Sequence, residues 1–310
     1  MLSEVPQIQL DANQFRMLKD YSIADFISRE RQFARLPLRR MSVPEIKTEF
    51  MKVLSDPLGK RFAFPTDIRP VLKDTPVFRL RNLGPTELSV ARAKAEDPRS
   101  FDLAPKQHVK AGRLNLERKP TFYGTLGTPL HGFYEVRAKP GDVLLCARFE
   151  LAAQTNVTAI ACPADFESQE PELVAKINLI TGFIQRQFNR DAGPENEYNY
   201  SISHAIVDDY YTYPPALTSG WIYPSLQDNR FVNIAFTEAN FKRLLRLHSV
   251  AVVRLEKVNE TGAKVTNYQV LKRSEGKAYL DMLLPEDDNF VSVCRGLGFT
   301  VSNEMWPDIG

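Results

Sequence analysis

Whatever chemistry this chain offers rests on four residue types at set spacings. Gly112-Arg113-Leu114-Asn115 is followed by Tyr123, ten positions after the arginine, and then by Glu135. Far downstream, Gly220-Trp-Ile-Tyr-Pro-Ser225 ends in a serine that reads as exposed. An arginine can fork onto phosphate or carboxylate oxygens. A tyrosine offers a ring face, and one ionised carboxylate can stabilise a developing positive charge. Taken singly, each has a plainer explanation: a surface arginine paired with an acid, a half-buried strand tyrosine, a solvated helical glutamate, a turn serine after proline.

Other catalytic patterns are missing from the sequence. It has no Gly-x-x-x-x-Gly-Lys-Ser/Thr phosphate loop, and Gly296-Leu-Gly298 lacks a third glycine and a βαβ context. The histidines (His108, His131, His204, His248) form no His-x-x-x-His pair and no Cys-x-x-Cys occurs, so no metal site is expected. Ser225 lies in Tyr-Pro-Ser-Leu-Gln rather than in a Gly-x-Ser-x-Gly elbow, which speaks against a hydrolase nucleophile.

The elements that must position these residues can be read from periodicity. Asp11 to Arg35 carries Phe15, Leu18, Tyr21, Ile23, Phe26, Ile27 and Phe33 mostly at helical spacing. Ser42-Val-Pro-Glu45 is a capping-box start, with Ile46, Phe50 and Leu54 on one face behind it. Pro57, Gly59, Pro65 and Pro70 read as punctuation after this helical region. Strands are expected at 75–81, 121–125 and 142–151, and Thr128-Pro129 opens a helix through Glu135. Residues 86–96 read as helical, and 97–111 and 152–169 as loops. Pro171 to Asn189 is the clearest helix, with Leu173, Ile177, Ile180, Ile184 and Phe188 along one stripe before Gly193-Pro194. A helix from Tyr198 closes before Tyr213-Pro-Pro215; strands follow at 220–223, 231–236 and 249–258, with a helix opened by Thr237. A late hairpin turns at Glu275-Gly276. Short strands interspersed with helices predict an α+β class.

Composition narrows the function classes. The 310 residues are 43% apolar and 25% charged, which suits a globular core rather than a disordered chain. With 40 basic and 38 acidic residues the net charge is +2, too balanced for a bulk nucleic-acid binder, so no direct nucleic-acid partner is expected. The arginines between Arg29 and Arg40 read first as a solvated helix face and a turn. Cys146, Cys162 and Cys294 are widely spaced and odd in number, as expected of reduced thiols. No apolar run approaches the roughly 20 residues of a bilayer span. Met1-Leu-Ser-Glu-Val-Pro has no signal pattern, so a cytoplasmic location without membrane association is expected.

In combination, the residues resemble the RES domain family, which is named for an arginine, a glutamate and a serine. The family pattern is Gly-Arg-Trp-Asn, a tyrosine about ten residues on, a glutamate about ten beyond, and a late Tyr-Pro-Ser followed by an Asn-hydrophobic strand. The corresponding residues are Gly112-Arg113-Leu114-Asn115, Tyr123, Glu135, Tyr223-Pro224-Ser225 and Asn233-Ile-Ala-Phe236. Leu114 departs from the family's tryptophan. Arg79, in Val77-Phe-Arg79-Leu-Arg81, matches an aromatic-arginine opening strand.

The resemblance implies an ADP-ribosyltransferase-like split β-sandwich with surrounding helices, spanning 75–260. A helical accessory region at 1–70 and a C-terminal extension at 261–310 lie outside it. It further implies NAD as substrate, with cleavage of the nicotinamide–ribose bond by water or phosphate, in a bacterial toxin or effector held in check by an antitoxin or immunity protein. Glu135, Arg113 and Ser225 would be catalytic. Arg113, Tyr123, Arg79, Asn115 and Ser225 would hold NAD. A protein ADP-ribosyltransferase and a catalytically inactive binding module are the alternatives.

Overall fold

A computed structural model of the chain describes residues 16, 18–55, 67–162, 170–190, 192, 196–210, 219–226, 231–259, 262–274 and 280–299. Expectations for Asp11–Phe15, Pro57, Gly59, Pro65, Gly193-Pro194, Tyr213–Pro215 and Glu275-Gly276 fall outside them. The helices are α1 (Ile23–Ala34), α2 (Val43–Leu54), α3 (Leu88–Glu96), α4 (Leu130–Glu135), α5 (Pro171–Phe188), α6 (Asn199–Tyr210), α7 (Glu238–Leu244) and α8 (Phe290–Gly296). The strands are β1 (Asp67–Val71), β2 (Pro76–Asn82), β3 (Thr121–Leu126), β4 (Val143–Leu151), β5 (Thr155–Ala159), β6 (Trp221–Pro224), β7 (Val232–Thr237), β8 (Leu245–Asn259), β9 (Gly262–Arg273) and β10 (Leu280–Leu283). The chain is thus a mixed α/β protein, compatible with the α+β class. Among the described residues no helix is long and apolar enough to cross a membrane.

Two strands occupy segments expected to be irregular. β1 covers Pro70, which had read as a breaker; β1 ends the strand order, and an edge strand tolerates the missing N–H. β5 lies within the expected 152–169 loop. Its few residues carry too little pattern to separate from loop composition, and it is completed by parallel pairing with β6, Thr158 opposite Trp221 and Ala159 opposite Ile222.

The chain divides into two compact units. The first comprises Met1–Val71, Pro105–Thr121 and Asn156–Leu226. Its helices start where the sequence says they should. Ser22 caps α1, its hydroxyl accepting from the Asp25 amide at 3.2 Å. Ser42 and Glu45 close a capping box on α2, whose hydrogen bonds hold the Glu45 carboxyl below its ordinary range. The core is aromatic and centred on Phe183 of α5. Its ring stacks on Phe50 at 5.2 Å and meets Phe33 and Phe26 edge-on at 5.7 and 5.9 Å. Polar ties reinforce this packing: Tyr21 donates to the Val53 carbonyl, Lys176 to the Lys19 carbonyl at 2.8 Å, and Arg186 pairs with Glu30 at 2.7 Å. The helices of the expected accessory region therefore share one core with α5.

The second unit comprises Leu72–Ala104, Phe122–Thr155 and Gln227–Gly310. Its strands run in the order β7-β3-β2-β4-β8-β9-β10. The β2–β4, β4–β8, β8–β9 and β9–β10 pairs are antiparallel. The β9–β10 pair, with Leu280 opposite Arg273, forms the expected late hairpin. β4 is central and buried on both faces, which accounts for its run Val143-Leu-Leu-Cys-Ala147. One face packs Phe78, Leu80, Leu144 and Cys146 against Phe133 of α4 and Phe290 and Val293 of α8. A separate ring cluster joins Phe122 and Phe149 to Phe241 of α7, with Phe122 stacked on Phe241 at 4.9 Å.

Candidate functional site

In the first unit, the Gly112–Asn115 segment is a tight turn closed by the Gly112 amide donating to the Asn115 carbonyl at 2.9 Å. Asn115 is buried, and its amide donates to the Lys110 and Leu116 carbonyls at 2.8 and 3.0 Å. That use explains an asparagine here without invoking a ligand: it holds the turn. His204 of α6 adds a second anchor, its Nε2 lying 2.6 Å from the Gly112 carbonyl oxygen. Leu114 is buried, so an apolar side chain still fills the place where the RES pattern has tryptophan.

With the turn pinned on both sides, Arg113 is half-buried and its guanidinium lies over the Phe188 ring, 5.4 Å from the centroid. Among the described residues no carboxylate pairs with Arg113, unlike the surface ion pair that would be its plain explanation. Phe188 also meets Tyr223 edge-on at 5.9 Å. One ring at the end of α5 thus touches both the arginine motif and the Tyr-Pro-Ser motif. Ser225 is only 5% exposed, which corrects its reading as a surface serine. The strand it follows is buried throughout, and the chain stays inside for one residue more.

In the second unit, Tyr123 is half-buried on β3. Phe78 lies opposite Thr125 in the β2–β3 ladder, so alternation puts Tyr123 on the same face as Phe78 and Leu80. α4 covers that face: a Cβ on Gly132 would come within 2.5 Å of Leu80 Cδ1, so glycine permits the close approach. Glu135 is the last residue of α4 and is exposed, not mid-helix as its sequence position suggested. Buried Asn233 of β7 donates its amide to Glu135 Oε1 at 3.0 Å. Sequence reasoning gave Asn233 only as part of a strand pattern, and its bond to Glu135 spans too many residues for any local signal to announce it.

Arg79 occupies the opposite face. Its guanidinium lies over Phe122 at 5.3 Å and its Nη1 makes long contacts to the Phe101 and Asp102 carbonyls at 3.4 and 3.5 Å. Burial, then the adjacent Arg81 charge, pulls its pKa down to about 10. The first unit therefore carries Arg113, Asn115 and Ser225. The second carries Glu135, Tyr123 and Asn233 on one sheet face and Arg79 on the other. Compared with protein-family models and with curated proteins, the chain matches none of them.

Proposed function

We propose that this chain is a NAD-consuming enzyme of the RES type, cleaving the nicotinamide–ribose bond by hydrolysis or phosphorolysis as a toxin or effector that depletes NAD. The observation that carries this is the Glu135 carboxylate, exposed at the end of α4 yet aimed by the amide of a buried asparagine. Nicotinamide leaves NAD as a neutral molecule, so no general acid is needed for its departure. Ordinary glycosides differ in requiring a second carboxyl group. One oriented carboxylate that stabilises the oxocarbenium-like ribose is enough.

In this scheme Arg113 forks onto the pyrophosphate, Tyr123 stacks on nicotinamide, and Ser225 hydrogen-bonds the ribose or the amide. Asn115 acts through the turn that presents Arg113. Arg79 is assigned to NAD only through the family pattern. The same proposal includes an ADP-ribosyltransferase-like sandwich over 75–260 flanked by regions 1–70 and 261–310. It also includes action in the cytosol and an antitoxin or immunity partner.

Incubating the pure protein with NAD, with and without phosphate, tests it. Nicotinamide plus ADP-ribose means hydrolysis, and ADP-ribose-1″-phosphate means phosphorolysis. Label found only on protein means ADP-ribosyl transfer, and intact NAD beside measurable NAD binding means a module without turnover.

A further inference from the structure

Between Pro105 and Thr121 the first unit carries five basic residues and one acidic residue, Glu117. The unit's other two segments hold 15 basic and 18 acidic residues. Positive charge is therefore gathered on one loop of an otherwise slightly acidic unit. Lys106, Lys110, Arg118 and Lys119 are all exposed. Arg118 meets Glu117 at 3.7 Å with both side chains largely in water, a pair of little worth. The three lysines pair with no carboxylate among the described residues. Lys19, Lys176 and Arg186 of the same unit each have one.

Buried Asn115 gathers this loop. Its amide nitrogen holds the Lys110 and Leu116 carbonyls at 2.8 and 3.0 Å, so the two carbonyls stand close together. The Arg118 amide donates to the Val109 carbonyl at 3.0 Å, and the Lys119 amide to the Leu116 carbonyl at 3.1 Å. Lys110, Arg118 and Lys119 thus spring from one pinned patch of backbone, and Leu116, 41% exposed, stands among them. Arg118 adds an independent observation. It is the third residue of the Leu116–Lys119 turn and sits at φ 61°, where glycine or asparagine is the unstrained choice. Keeping a long cation there costs backbone strain that turn formation alone does not explain.

An exposed apolar side chain among cations narrows the partner. Nucleic acid could use the charges, but the loop holds no Phe, Tyr or Trp on which a base could stack. A duplex or an anionic bilayer presents a broad negative field, which the acidic excess of the rest of the unit opposes. A short run of carboxylates with one apolar side chain matches both the extent of the patch and Leu116.

We propose that the 105–121 loop docks an acidic segment of another protein, its carboxylates on Lys110, Arg118 and Lys119 and an apolar side chain on Leu116. This docking is separate from the NAD reading: none of the four contacting residues is assigned to NAD.

Fluorescence anisotropy of a short labelled peptide, glutamates around one leucine, titrated with the full chain at low salt tests the docking. Binding is expected, and it should weaken as salt rises and when the leucine is replaced by alanine. The triple variant Lys110→Gln, Arg118→Gln, Lys119→Gln should weaken it about tenfold. Arg39→Gln with Arg40→Gln, exposed cations of the same unit, should leave it unchanged. Arg118→Gly should weaken binding yet raise the unfolding midpoint, because glycine relieves the turn. A more stable Arg118→Gly chain that binds fully would overturn the part given to Arg118 and leave it a turn residue. No binding by wild type, or equal loss in the triple and double variants, overturns the docking. So does tighter binding of a single-stranded oligonucleotide, or of phosphatidylserine vesicles, than of the peptide.

Discussion

Asn233 and Glu135 are 98 residues apart in sequence and meet at 3.0 Å, amide nitrogen to carboxylate oxygen. The donor is buried on a strand and the acceptor is exposed at a helix end. A buried amide so placed helps to restrict the carboxylate, and restriction of this kind is what electrostatic catalysis requires.

Glu135→Gln is therefore expected to lower kcat for NAD cleavage by about 100- to 1,000-fold with the fold intact, the usual effect of losing one group aimed at transition-state charge. Asn233→Leu should lower kcat by a smaller factor, roughly 10-fold, because the carboxylate remains but loses the buried amide that helps to aim it. Nicotinamide release and KM measured together distinguish the two roles. A rise in KM with unchanged kcat in Asn233→Leu would show that the asparagine only supports packing.

For Arg113, exchange to lysine should weaken NAD binding even though the charge is retained. A lysine loses both the planar fork and the stacking on Phe188. A dissociation constant within about twofold of wild type would return Arg113 to the class of surface cations worth roughly 0–1 kcal/mol.

Much of this arrangement was legible because it is local. The capping box at Ser42 and Glu45, the α5 stripe and the β9–β10 hairpin each declare themselves within a few residues. The tertiary features did not. β5 needs its parallel partner to be a strand at all, Ser225 stays buried just past the strand it follows, and Phe183 gathers rings from α1 and α2 that no spacing rule connects to it. Arg113 was legible by motif, whereas its seat over Phe188 needed the end of α5 to be in place.

The three thiols should be chemically silent in the native state. Burial pushes Cys146 and Cys162 up to about 12 and Cys294 up to about 11, and all three are buried. A disulfide reagent at neutral pH is expected to titrate no thiol within minutes, then all three in denaturant. Rapid labelling of one native thiol would place it in a locally opening segment instead.

His248 should make stability pH-dependent. Burial holds its pKa below the ordinary 6.5, opposed by the Glu150 charge and assisted by Arg148 and Lys272. Below about pH 6.5 the unfolded chain thus binds a proton that the folded chain resists. Stability is lost as pH falls from 6.5 toward the folded pKa and levels off beneath it. Denaturant midpoints at pH 5.5 and 7.5 should differ less in His248→Gln than in wild type. An identical difference in the two proteins would remove His248 from the account.

The last expectation concerns residues 1–71. Phe183 is fully buried, and three of its ring partners (Phe26, Phe33 and Phe50) come from α1 and α2. Phe183→Ala should cost about 3–5 kcal/mol, the usual range for emptying an aromatic site in a core. Deleting α1 and α2 does more, because it strips all three ring partners from Phe183 and exposes that ring to water. A chain beginning at Thr75 should therefore be poorly soluble. Some activity per folded molecule should nevertheless survive, because Glu135, Tyr123, Arg113 and Ser225 all lie after the cut. The check is urea unfolding of Phe183→Ala together with NAD cleavage by the shortened chain, normalised to its folded fraction. A soluble, well-folded but wholly inactive short chain that regains activity when residues 1–70 are added back would mean that the N-terminal helices contribute to the chemistry itself.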